Sequence, residues 1–416
     1  MTHPWSAMTS TDPRVGRLTP TSRHGTAAEL AGNKKSKTDC AEPTTEPPTL
    51  VPMNWLTSAI IELKSITEEL ILRNPPLPVV DGLNPSRVRL DTATSAAAAV
   101  RHLIENQHHH DPTDDETALY ERFRRGEVRL DNGTVLQPAD TVAGGTFIWF
   151  YRRPAPERPV PGNMHLLYRD ENILVADKPP FMSTLPRGQH ITETAVVRAR
   201  RQFGIDDLSP VHRLDRLTRG VLLFTVRREV RGAYQQLFER RLVQKTYDAV
   251  TPRPPGWTDL TQVEVPAGAL HLGSPASALA APSAAEPWVL RHRLIKDRGH
   301  LATYVAEGDA NSETAVVGIR PSDLDDSKLV WTLQPHSGRT HQLRVNMRLF
   351  KTPIVDDPIY TDISDRALYD QTAPLPFVPA VEDEDFNRPM GLTARELSFT
   401  DPLSGEPRHF VSSYST

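Results

Sequence analysis

The sequence predicts an α+β fold: a mixed, largely antiparallel central sheet with flanking helices, preceded by a small α/β unit and a disordered N-terminal tail. Three observations carry this expectation. Apolar stretches of strand length recur from Met164 onward, at 172–176, 221–226, 246–250 and 328–333. Amphipathic stretches of helix length fall among them, at 194–203, 231–240 and 340–350, without the regular alternation of a parallel α/β fold. Residues 1–53, by contrast, are rich in Thr, Ser, Pro and Ala with almost no periodic apolar positions. Such a segment cannot bury enough surface to offset the entropy of ordering.

The 416 residues suffice for two compact domains plus tails. After the tail, Leu56, Ile60, Ile61, Leu63, Ile66, Leu70 and Leu72 recur at helical spacing until Asn74-Pro75-Pro76 ends the run. This predicts one amphipathic helix over 54–73. Residues 77–153 read as a small unit, with a helix over 96–105, a further element over 118–124, and strands over 127–130 and 146–151. Asp131-Asn132-Gly133 supplies a turn signal. Four prolines between 154 and 161 mark a linker over 154–163, and a larger domain runs from 164 to 416. Within it, the Ala/Pro/Ser stretch 274–286 reads as a surface loop.

Composition excludes several classes of protein. Cys40 is the only cysteine, so neither an intrachain disulfide nor a Cys₄ or Cys₂His₂ zinc site is available. No apolar stretch approaches the ~20 residues that cross a bilayer. Residues 1–30 carry no apolar core of a secretory signal, so a cytoplasmic location is expected. His108-His109-His110, beside several acids, reads as a solvated loop rather than a metal site. Asp170-Glu171 and Asp356-Asp357 fall in turns, and Ser337 lacks a nucleophile-elbow pattern.

The most informative segment is His212-Arg213-Leu214-Asp215-Arg216-Leu217-Thr218-Arg219-Gly220, just ahead of the apolar strand 221–226. Positive neighbours keep a carboxylate such as Asp215 ionised, as nucleophile or base. A salt-bridged Asp closing a loop is the bland alternative. The same arginines are of the kind that hold phosphates. A second constellation, Ser337-Gly338-Arg339-Thr340-His341-Gln342-Leu343-Arg344, joins a turn at Gly338 to a helix start. Arg339 and Thr340 then lie at a helix N-terminus, which favours anions, although an ordinary cap fits as well. A third, Lys245-Thr246-Tyr247-Asp248-Ala249, sets Tyr247 and Ala249 on one strand face, where packing is the commoner role of a tyrosine.

Together these segments resemble the RluA family of RNA pseudouridine synthases. That family opens with a stretch like Tyr168-Arg169-Asp170-Glu171-Asn172-Ile173-Leu174-Val175-Ala176-Asp177-Lys178-Pro179. Segments like 212–220 and 245–249 follow, then a weak match at Ser312-Glu313-Thr314. Next come 338–344, a Pro353 to Tyr360 element and a closing stretch over 394–406. The order holds across about 240 residues, whereas a chance match to one element alone would mean little.

The resemblance implies isomerisation of uridine to pseudouridine in RNA without metal or organic cofactor; the expected target is ribosomal or transfer RNA, and the chain is expected to be a monomer. The resemblance makes Asp215 the essential aspartate, Tyr247 the tyrosine that stacks on the target base, and Arg339 the ion-pair partner of Asp215. His212, Arg213, Arg216, Arg219, Thr340 and Arg344 are then the RNA-binding residues. A catalytically silent RNA-binding or ribosome-assembly protein on the same scaffold is the alternative, disfavoured by intact Asp215, Tyr247 and Arg339. The chain departs from the family pattern at Arg219, Ser312, Asn346 and Asp356, where a small residue, Ala, His and Gly are usual. Residues 126–133 also resemble the end of an S-four-type RNA-binding domain, with Arg122, Arg124, Arg125 and Arg129 nearby. A packing subdomain and an RNA clamp both fit that segment.

The formal net charge of −4 argues against a broadly basic nucleic-acid binder. Its distribution argues the other way: residues 196–245 hold twelve Arg or Lys against five Asp or Glu. A phosphate-reading surface there predicts RNA binding that weakens steeply with salt in a filter-binding titration, whereas a flat dependence contradicts it.

Overall fold

The structure, a computed structural model, describes residues 75–107, 109–258 and 260–415. The expected tail and the helix over 54–73 lie outside the described residues. All described residues belong to the larger of the chain's two units, Ile61–Thr416.

The small N-terminal region runs β1 (Ser86–Arg89), β2 (Thr94–Ser95), α1 (Ala96–Glu105), α2 (Glu116–Arg124), β3 (Arg129–Leu130), β4 (Thr141–Val142) and β5 (Phe147–Phe150). Both helices start at side-chain caps: Ser95 accepts from the Ala98 N–H and Asp115 from the Ala118 N–H. Ala96, Val100 and Ile104 repeat every fourth residue, so one face of α1 packs on Leu119, Phe123, Ile148 and Phe150 as a separate core. β5 lies between β1 and β3. The expected strands form, trimmed by one or two residues at their ends.

The body contains β6 (His165–Arg169), β7 (Ile173–Lys178), α3 (Ala195–Phe203), β8 (Ser209–Pro210), β9 (Arg219–Thr225), α4 (Arg231–Glu239) and β10 (Gln244–Pro252). It continues with β11 (Gln262–Val265), β12 (Ser277–Ala280), β13 (Trp288–Ile295), β14 (Tyr304–Ala306), β15 (Ser312–Pro321) and β16 (Lys328–Pro335). It ends with α5 (Gln342–Leu349), β17 (Leu392–Thr400) and β18 (Pro407–Val411). An 11-stranded sheet follows the order β14-β13-β15-β16-β10-β17-β9-β7-β6, with β18 on β17 and β8 on β9. Every pairing is antiparallel except β17 with β9. The predicted α+β class holds.

Strand alternation divides two cores. Leu174, Ala176, Leu222 and Phe224 face one side with α3 and α5; Ile173, Val175, Val221 and Leu223 face the other with Tyr234 and Leu237 of α4. The proline-rich stretch 154–163 is held against this body. The Glu157 carboxylate accepts from the backbone N–H groups of Ile191, Thr192 and Glu193, and Arg198 donates to the carbonyls of Val160 and Gly162. The surface loop expected over 274–286 contains β12, paired with β11. Its Ala/Ser composition gives too little polarity contrast for strand alternation to show.

The parallel junction between β9 and β17 fixes the first residues of β9. Gly220 pairs with Ala394 across it at φ +110, and a Cβ on Gly220 would fall 2.3 Å from the Ala394 carbonyl oxygen. Only glycine fits there. We expect Gly220→Ala to cost about 2 kcal/mol or more, roughly 4–8 °C in Tm by differential scanning calorimetry. Gly204→Ala, at φ +66 in open space, should cost about 1 kcal/mol. Equal losses at the two sites would refute a constraint specific to the junction.

Candidate active site

Asp215 sits in the turn that leads into β9, and its flanking residues are fixed on both sides. Before it, the Thr184 hydroxyl donates to the Leu214 carbonyl (2.8 Å) and accepts from the Leu214 N–H (3.1 Å). After it, the Arg216 carbonyl accepts from Lys178 Nζ at 3.1 Å. Lys178 ends β7, is fully buried, and also donates to the carbonyls of Pro179 (2.9 Å) and Met182 (2.8 Å). The Asp215 backbone is therefore fixed, while its carboxylate makes no hydrogen bond or ion pair among the described residues. It faces a cavity of about 570 Å³, within the range of small-molecule sites.

Burial pushes the Asp215 carboxyl above the ordinary carboxylate range, and Arg344, Lys178 and Arg213 pull it back. Desolvation thus outweighs the positive neighbours that the sequence suggested would dominate. The same burial depresses Lys178 to about 7, partly countered by Asp215. Tyr247, on β10, lines the cavity, and burial together with Asp215 raises its phenol well above the usual range. The phenol stays protonated at neutral pH and offers an uncharged aromatic face.

The opposite wall is built from residues 338–344. Here α5 begins at Gln342, later than expected, because His341 takes a left-handed φ of +55. Its Nδ1 lies 3.1 Å from the Tyr360 hydroxyl, which donates to the Thr303 carbonyl and accepts from the Thr303 N–H. That turn swings Arg339 outward: it is exposed, and its Nε donates to the Asn311 carbonyl at 3.1 Å. Arg344 is turned inward. It is 3% exposed and forms a two-point pair with buried Asp357, at 2.6 and 2.7 Å. The expected partnership of Asp215 with Arg339 is therefore corrected: Arg344 is the cation that acts most strongly on Asp215.

The expected RNA-binding residues divide. Arg213, Thr340 and Arg344 line the cavity, as does Arg339. His212 lines it too, but burial drops its ring to about 3; it accepts from the Leu223 N–H and stacks on Phe238 at 4.7 Å, so it brings no charge. Arg216 and Arg219 do not belong with them. Arg216 makes a two-point pair with Glu384. Arg219 donates to Thr393 Oγ1 and the Ser415 carbonyl and lies over the Tyr414 ring. Both arginines are taken up by partners distant in sequence, which a local motif does not reveal.

The other departures from the family pattern also have structural partners. Ser312 Oγ donates to the His292 carbonyl, Asn346 accepts from Thr314, and Asp356 holds a left-handed φ of +56 with Arg388 beside it. In the small N-terminal region, Arg122 is tied to Asp114 and the Tyr151 carbonyl, Arg124 and Arg125 to Glu121, and Arg129 to the carbonyls of Gly126 and Pro76. Lys178, which sequence reasoning did not single out, is the buried cation that ties the Asp215 turn to the end of β7. The signal for it is a pair of charged residues, Asp177 and Lys178, closing an otherwise apolar strand.

Residues 172–349 match the family model described as RNA pseudouridylate synthase. A tRNA pseudouridine synthase C of Vibrio cholerae is 26% identical over 260 residues, covering 59% of this chain and 88% of its own length. A ribosomal large subunit pseudouridine synthase D of Xanthomonas campestris pv. campestris is 27% identical, covering 71% and 80%. An RNA pseudouridine synthase of Synechocystis is 29% identical over 136 residues, 33% of this chain and 46% of that protein. The chain thus spans just under half of the Synechocystis relative and most of the other two. With the matching motifs gathered around one cavity, the chain is similar to RNA pseudouridine synthases over residues 172–349.

Proposed function

We propose that this chain isomerises specific uridines to pseudouridine in structured RNA, with Asp215 as the catalytic carboxylate. The observation that carries the reading is a carboxylate left without a partner in a cavity, beside an aromatic ring and a buried arginine. The named substrates of the Vibrio and Xanthomonas relatives support transfer or ribosomal RNA as the target class.

The reaction breaks the bond between sugar carbon 1 and ring nitrogen 1, then forms a bond from that sugar carbon to ring carbon 5. The proton on ring carbon 5 leaves to solvent and ring nitrogen 1 gains one, so atoms and oxidation state balance. The uridine must first leave its stack, and the neutral face of Tyr247 provides a platform for it. Asp215 acts as the anion beside the reacting carbons. The cavity keeps the detached base in place until it rejoins. Arg344, fixed by Asp357, lowers the cost of holding the Asp215 anion there.

Action as a monomer is part of the proposal. A cytoplasmic location belongs to the same proposal, since ribosomal and transfer RNA work there. No described helix is long and apolar enough to cross a membrane.

The direct test uses transcripts tritiated at uridine ring carbon 5. Wild type should release tritium to water, and Asp215→Asn should release it about 10³-fold more slowly or not at all. No release by wild type, or equal release by both proteins, would sink the proposal and favour a silent RNA-binding protein.

The pH profile tests which arginine serves Asp215. The active form is the carboxylate and its folded pKa is raised, so activity is lost as pH falls through a value above the ordinary ~3.9. Arg344→Gln removes the strongest cationic pull and should move the acid limb of kcat/KM to higher pH. Arg339→Gln should leave that limb in place; the reverse pattern would restore Arg339 as the partner.

A further inference from the structure

We propose that Arg241 and Lys245 form an anion subsite on the α4–β10 wall of the cavity, which holds a backbone phosphodiester of the RNA next to the target uridine. This rests on the RNA-isomerase reading of the same cavity and adds a contact at two residues to which the resemblance gives no role.

The inference starts from what becomes of the basic stretch 196–245. Arg198 pairs with Glu193, Arg201 with Asp81, Arg216 with Glu384, and Arg228 and Arg231 with Asp207. Arg200 donates to the carbonyls of Leu208 and Gly82, Arg219 to Thr393 and Ser415, and Arg227 to Asn172. Arg213, Arg240, Arg241 and Lys245 make no side-chain hydrogen bond or ion pair among the described residues. Three of the four line the cavity: Arg213, Arg241 and Lys245. Glu239, the only acid besides Asp215 on the lining, makes no ion pair with any of them.

A second observation concerns the backbone at Arg241. The Leu242 N–H donates to the Leu237 carbonyl and the Arg241 N–H to the Phe238 carbonyl. That is the Schellman ending of a helix, whose left-handed position is usually glycine. Arg241 occupies it at φ +57. The chain thus accepts backbone strain to present a guanidinium at the cavity mouth, and strain of this kind collects at functional sites.

Lys245 is half-buried, and burial together with Arg241 lowers its pKa. Two neighbouring cations without a counter-ion are costly until an anion joins them. On the opposite wall Arg344 already holds Asp357 and Arg339 donates to Asn311, so free donors gather on the α4–β10 side. A planar guanidinium fork beside an ammonium suits phosphate oxygens. Lys245 stands two residues from Tyr247, about 6.6 Å along the strand. An anion at Lys245 therefore lies within one nucleotide's reach of a base on Tyr247.

The test measures filter binding of a 12-nucleotide oligouridylate across a salt series. Wild type is compared with Arg241→Gly, Arg241→Gly/Lys245→Met and the control Lys328→Gln, which removes one charge at the far end of the β10–β16 pairing. Arg241→Gly should raise Tm by relieving the left-handed strain, so weaker binding cannot be blamed on misfolding. The double variant should bind roughly tenfold more weakly at low salt, and its log–log salt slope should flatten by roughly 0.7 for each phosphate it no longer neutralises. Arg241→Lys/Lys245→Arg should keep most of the wild-type slope. A double-variant slope equal to that of Lys328→Gln would overturn the subsite. Tritium release by wild type, measured alongside, separates the two claims. Release with an unchanged slope removes the subsite and keeps the isomerase; a flattened slope without release does the opposite.

Discussion

The site depends on one buried ammonium. Lys178 ends a central strand with no exposed surface, and its three protons go to the carbonyls of Pro179, Met182 and Arg216. These contacts join the end of β7 to the loop that carries Asp215. A charge buried this way is unfavourable alone, which is why burial lowers Lys178 to about 7 while raising Asp215. Each group partly offsets the other's desolvation without touching it. The carboxylate stays open to the cavity because the lysine is occupied by backbone oxygens. Opposed shifts of this kind mark a site where stability is exchanged for reactivity.

Around this pair the fold supplies rigidity from three directions. The parallel junction at Gly220 and Ala394 fixes the strand that follows the Asp215 loop. Buried Asp177, next to Lys178, accepts from the backbone and hydroxyl of Ser413, and Arg219 and Arg395 hold residues 412–415 through their carbonyls. Opposite, Asp357 fixes Arg344 and accepts from the N–H groups of Ile359 and Tyr360, which joins the Pro353 to Tyr360 element to residues 338–344. The motifs read from the sequence are the parts of one connected support.

The order of those motifs was legible because each couples a characteristic residue to local chain geometry. The fold class was legible too, from strand-length apolar stretches without βαβ alternation. Three other features were hidden for a common reason: they depend on partners far along the chain. Arg216 and Arg219 resembled phosphate ligands until Glu384 and Thr393, 168 and 174 residues away, claimed them. Arg339 and Arg344 could be told apart only once His341 took a left-handed turn against Tyr360. The basic count over 196–245 overstated the available field, because ion pairs with Glu193, Asp81 and Asp207 consume much of it. What survives is smaller and better placed, at the cavity mouth.

The central claim is that Asp215 modifies uridine in RNA. It is tested most directly by mapping pseudouridines across the RNA of cells that express either wild type or Asp215→Asn as the sole copy. The account predicts at least one uridine converted with wild type and left unmodified with Asp215→Asn. Identical maps from the two would contradict it.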